Sequence, residues 1–100
     1  MNMQQMMAQA QKMQRELQKA LKALSEQEFT ISKGGAVTVK MYGSNQIISI
    51  SIDEDAMDKD NKEMVEELIA LAINEGLEQI EAEREAINER ITGQRGGFGF

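Results

Sequence analysis

Residues 34–53 read GGAVTVKMYGSNQIISISID, and their period of two decides the fold class. Val37, Val39 and Met41 alternate with Thr38, Lys40 and Tyr42; after Gly43-Ser44-Asn45, Ile48, Ile50 and Ile52 alternate with Ser49, Ser51 and Asp53. Just upstream, Phe29 and Ile31 alternate with polar residues before Lys33-Gly34-Gly35. Successive side chains on a strand point to opposite faces, so three short runs joined by glycine-containing turns predict an antiparallel meander. Its strands are expected at about residues 28–32, 36–42 and 46–52, with one apolar face buried and the other carrying Ser, Thr and Lys.

On either side of the meander the period changes to that of a helix. Met3, Met6, Ala10, Met13, Leu17, Ala20 and Leu24 recur at alternating intervals of three and four residues, a heptad seam that predicts a helix over residues 3–24. Lys12, Arg15, Lys19 and Lys22 then occupy positions c, f, c and f, one stripe away from the seam. Downstream, Asp60 and Glu63 have capping-box spacing and Gly93 is a helix stop, so a second helix is expected over residues 61–92. Its first half is apolar on a broad face (Met64, Val65, Leu68, Ile69, Leu71, Ala72, Ile73), as suits a helix lying across a sheet. Its second half keeps only the narrow stripe Ile80, Ile87 and Ile91, with Arg84 in the same register, among many glutamates. Residues 1–93 thus read as a single domain, and residues 94–100 as a flexible glycine-rich tail.

Length adds a constraint. At about 1.5 Å per residue the helices extend ~33 Å and ~46 Å, whereas a compact domain of this length is only ~34 Å across. The longer helix is therefore expected to overhang, the two helical stripes to cover each other, and the remaining apolar seams to meet a second copy in a two-fold homodimer.

Composition narrows the chemistry. The 100 residues contain no histidine and no cysteine, which removes the usual general base, metal ligand and activated nucleophile. An enzyme, a cofactor site and a small-molecule substrate are accordingly not expected. Counting an EF-hand from Asp53 puts Met57, Asp58 and Met64 where an oxygen ligand, glycine and glutamate belong, so no metal site is expected either. No run approaches a membrane span, and the absence of cysteine fits a reducing cytoplasm. The net charge of −6 is divided unevenly: residues 1–40 carry +3 and residues 41–100 carry −9.

Interaction surfaces remain. The stripe Lys12, Arg15, Lys19 and Lys22 covers about 15 Å of helix, enough to meet several phosphates. Taken alone, the stripe is better explained as the solvated face of a helix pair, or as charge neutralised by the glutamates of the second helix, and the acidity of the rest of the chain would repel a polyanion outside the stripe. The methionines of the first helix read as core filler or as an adaptable binding groove.

QAQKMQ (Gln9–Gln14), the run from Gly34 to Asp53 and DNKEMVEELIALAINEGLEQI (Asp60–Ile80), in that order, resemble the YbaB/EbfC family of small bacterial nucleoid-associated proteins. The resemblance implies an α+β fold: an α-βββ-α protomer, two-layer, with a three-stranded antiparallel sheet and two long helices, forming a tweezer-like homodimer. It also implies non-enzymatic binding of double-stranded DNA and a place in the nucleoid, with a role in nucleoid organisation or gene regulation. Carried onto this sequence, the DNA-contact role falls on Lys12, Arg15, Lys19 and Lys22, then on Arg95 in the tail and Lys33 at the first turn. Phosphate contacts with little sequence readout are expected, since neither helix reads as a recognition helix. The alternative is a dimeric protein-interaction scaffold that does not itself bind DNA.

Overall fold

A computed structural model describes residues 2–93. The elements follow in the order α1 (Met3–Glu26), β1 (Glu28–Lys33), β2 (Val37–Tyr42), β3 (Ile47–Ile52) and α2 (Lys62–Thr92), an α+β arrangement of two long helices and one three-stranded antiparallel sheet ordered β1-β2-β3. Two 3-10 turns, Glu54–Ala56 and Lys59–Asn61, connect β3 to α2. The tail expected at residues 94–100 lies outside the described residues.

The ends of α1 are fixed by backbone chemistry. The Asn2 side chain accepts the Gln5 backbone N–H at 2.8 Å, satisfying one of the donors a helix start leaves free. At the other end the Gln27 N–H donates to the Leu24 carbonyl at 3.0 Å, and the chain passes directly into β1. The start of α2 differs from the expected capping box. Asp58, not Asp60, does the capping: its side chain accepts the Asp60 N–H at 3.0 Å, and the helix begins after Asn61 with no side-chain cap. An aspartate readily captures the N–H two residues on, and that local turn places Asp60 inside a 3-10 turn rather than at the helix cap. Gly93 ends α2 as expected, with φ +72° and its N–H donating to the Glu89 carbonyl at 2.8 Å.

The first half of α2 lies across β1 and β2. Beneath it Phe29, Ile31, Val37, Val39 and Met41 are buried, the last two completely, together with Val65, Ala72 and Ile80 from the helix. Past the sheet, α2 continues antiparallel to α1, which contributes Leu17, Ala20, Leu21 and Leu24 to the same apolar cluster as Ile80, Ile87 and Ile91. The two stripes cover each other over the half of the α1 seam from Leu17 to Leu24, whereas Met3, Met6 and Met13 stay exposed, so the expected mutual cover is only partial. Arg84, in register with the isoleucines, stays half-buried by turning its guanidinium to Glu81. The molecule measures 69 × 24 × 15 Å and has a radius of gyration of 19.1 Å, well beyond the ~13 Å of a compact chain this long.

β3 departs from the expected pattern. Ile47, Ile48 and Ile50 remain 41%, 40% and 42% exposed. A single helix about 10 Å wide covers two strands spaced ~4.8 Å apart, and the third lies beyond its edge. The register also slips once: Lys40 faces Ser49 and Met41 faces Ile47, so Ile48 is an extra residue at a β-bulge.

Two glycines admit close approaches. At Gly76 a Cβ would come within 2.4 Å of the Met41 sulfur and 3.0 Å of Ile31, which lets α2 settle onto the sheet. Gly43 is tighter still: a Cβ there would lie 1.9 Å from the Leu24 carbonyl oxygen, a backbone atom near the end of α1, and the Gly43 N–H donates to the neighbouring Gln27 carbonyl at 2.8 Å. Gly43→Ala must therefore push α1 off the sheet, and a loss of about 3 kcal/mol or more is expected, read as a lower midpoint in urea. An unchanged midpoint would show that the close approach is not needed.

Candidate nucleic-acid interface

All four cations of the α1 stripe are exposed. Their helical positions set a line about 15 Å long on the segment of α1 that runs beside α2. The line does not stand wholly on the far side of the helix. Lys12 borders a shallow groove with Gln9, Met13, Glu16 and Ile91, and Lys19 borders a second with Glu16, Ala20, Ala23, Arg90 and Ile91. Lys12 and Lys19 thus stand on the shoulder facing α2, and the exposed Arg90 of α2 joins them there. Arg90 is a cation in the last turn of its helix, where the helix dipole favours positive charge. Its closeness to Lys19 follows only from the antiparallel pairing of α1 and α2.

The ion pairs among the described residues join Lys33 to Glu75 at 2.6 Å, Lys62 to Glu66 at 3.1 Å and Arg84 to Glu81. None of them involves the stripe. Lys33, by contrast, is committed: its side chain is 31% exposed and ties the end of β1 to α2 across 42 residues of sequence. It also sits apart from the other cations, since β1 carries the chain ~17 Å from the end of α1 to Lys33. The structure therefore gathers Lys12, Arg15, Lys19 and Lys22 and leaves Lys33 elsewhere. Arg95 lies outside the described residues.

Charge separates along the same division. α1 carries four basic and two acidic side chains, whereas α2 carries three basic and nine acidic. Among the described residues, no group of three or more acidic side chains stands close enough to hold a metal ion, and no helix is long and apolar enough to cross a membrane.

The sequence profile of the YbaB/EbfC DNA-binding family matches residues 1–95. The chain belongs to this family. It is 44% identical over 94 residues to a nucleoid-associated protein of Clostridium novyi, covering 93% of this chain and 82% of that protein. A nucleoid-associated protein of Enterococcus faecalis is 39% identical over 98 residues, covering 97% and 94%. One from Mycoplasmopsis pulmonis is 37% identical over 91 residues, covering 91% and 90%. The crystal structure of an uncharacterized protein from Helicobacter pylori superposes with a TM-score of 0.75 at 22% identity, covering 93% of this chain and 99% of that one, so the fold is shared. This YbaB/EbfC member is acidic overall, at −6, and its exposed line of cations lies on α1.

Proposed function

We propose that this protein binds duplex DNA as a homodimer, chiefly through phosphate contacts and with little reading of base sequence, and so organises the nucleoid or regulates genes there. One observation carries the reading: four exposed cations lie in a line on a two-helix rod. A single helix is 10–12 Å across and fits a major groove ~12 Å wide, but two packed helices with axes ~9 Å apart do not. The stripe occupies the paired section, so its cations reach the backbone of DNA rather than the base edges. Relatives named as nucleoid-associated proteins support the class of partner.

A second copy fits against β3. Its outer edge carries unpaired backbone groups, and its apolar side chains lie about 40% exposed beside the flank of α2. That flank is identified by Ile69, which lines a groove with Ile52; Ile73 and Leu77 follow it at four-residue intervals. Antiparallel pairing of β3 with its two-fold mate would satisfy the edge and bury Ile47, Ile48 and Ile50 against the mate and both helices. It would also double the cationic line.

The reading is tested by titrating generic duplex DNA at two salt concentrations. If eight cations in the dimer replace counterions, log K falls with log salt at a slope near −7. Binding that ignores salt, or no binding at low salt, would instead favour a scaffold that holds proteins.

A further inference from the structure

The first turns of α1 outrun its partner helix. Ile91, near the end of α2, lines a groove with Gln9 and Met13, and Gly93 then turns the chain out of the helix. From Gln9 back to Met3, α1 runs on for ~9 Å with every residue exposed. Met3, Met6, Met7 and Ala10 stand there at i, i+3, i+4 and i+7, which makes one apolar stripe about 100° wide. Its three methionines are 73%, 56% and 57% exposed. A contiguous apolar face on a helix tip marks a contact surface.

We infer that this stripe docks on the same stripe of a second copy, the two helix tips lying antiparallel. Charge selects that occupant. The chain is 28% charged and stands at −6, and its two longest runs without a charged side chain are residues 1–11 and 41–52. Copies of such a chain repel one another over most of their surface, so close contact between them is least opposed at those two stretches. The second contains β3, where a mate is proposed above; the first is the tip of α1. Geometry agrees. The spacing i, i+3, i+4, i+7 reads the same in both directions, so an antiparallel copy presents the same four positions at the same heights. About a two-fold axis level with the midpoint of Met6 and Met7, each of these meets its own mate, and Met3 lies opposite Ala10 of the second copy, a long side chain against a short one. Antiparallel placement also keeps the positive ends of the two helix dipoles apart, whereas parallel tips would set them side by side.

A few residues a side fall far below the roughly 20–30 a side of a stable interface, so the contact between free copies is weak and short-lived. It does not use β3. Where the β3 dimer also forms, each dimer carries two tips and the contact joins dimer to dimer, a consequence that rests on that reading. Thiol cross-linking traps a contact of this kind, and the chain has no cysteine of its own. Met6→Cys puts one thiol beside the two-fold axis; Gln5→Cys, on the far side of the same turn and equally open to water, is the reference. With a short bismaleimide, Met6→Cys is expected to give covalent pairs about ten-fold faster than Gln5→Cys. The rate should not fall as salt is raised, since no charged side chain takes part. Adding Met3→Gln and Met7→Gln to the Met6→Cys chain should bring it down to the Gln5→Cys rate, with helix content unchanged by circular dichroism. Equal rates for the two single variants overturn the inference and leave the stripe to a foreign protein or a lipid surface. So does pairing that the glutamines leave untouched. A Met6→Cys/Ile50→Glu chain separates the two contacts: tip pairing should persist there whether or not β3 dimerises, and its loss would overturn the inference by making the tip contact a part of the β3 dimer.

Discussion

Replacing Lys12, Arg15, Lys19 and Lys22 together by glutamine is expected to weaken duplex binding by at least ~10³-fold at about 0.1 M salt, measured by fluorescence anisotropy. The expectation follows from where the charge sits. The chain as a whole is at −6, so without the stripe the electrostatic term opposes association, and the duplex meets no line of cations on α1. The substitutions are exposed and glutamine is nearly as good a helix former as lysine, so fold and oligomeric state should be unchanged by circular dichroism and sedimentation. Arg90 remains in the variant. Whatever shallow salt dependence persists therefore measures its share, expected as a slope of about −2 for two copies. A companion variant with the three lysines changed to arginine should bind as the native chain does, because backbone contacts require charge more than shape. Undiminished binding in the glutamine variant would place the DNA elsewhere.

How much of this was legible in the sequence depends on how local each determinant is. The alternation of Val37, Val39 and Met41 with polar neighbours is a property of six consecutive residues, and it gave the meander. The helical stripes are equally local, and with the rise per residue they led to the elongated pair. The bulge at Ile48 escaped because alternation is insensitive to one inserted residue when apolar residues stand on both sides of it, as Ile47 and Ile48 do. The exposure of β3 depends on the angle at which α2 crosses the sheet, which no strand encodes by itself. Among the candidate site residues, the stripe followed from periodicity. Lys33 was separated from it by Glu75, far away in sequence, and Arg90 was added to it by the packing of one helix against another.

If the second copy docks on β3 as proposed, Ile50→Glu is expected to convert the dimer into a folded monomer. Within one protomer Ile50 faces Val39 across the sheet yet is 42% exposed, so a carboxylate there can reach water and should cost the monomer under ~1 kcal/mol. In the dimer proposed above the same position would lie near the middle of a strand paired with its own two-fold copy, so both glutamates would enter one apolar contact close to each other. Burying each carboxylate without a partner costs about 2–3 kcal/mol before their mutual repulsion, enough to weaken association roughly 10³- to 10⁴-fold. Sedimentation equilibrium reads the change. Leu71→Glu supplies the control: Leu71 is also 50% exposed but shares the opposite flank of α2 with Leu68 and Glu75, which reach Gly34 and Lys33. That variant should remain a dimer. If both variants dissociate, or if neither does, the second copy does not dock on β3. If Ile50→Glu alone dissociates, each monomer presents one stripe instead of two, and the salt slope for DNA should fall by half, to between −3 and −4 by the same counterion arithmetic, roughly.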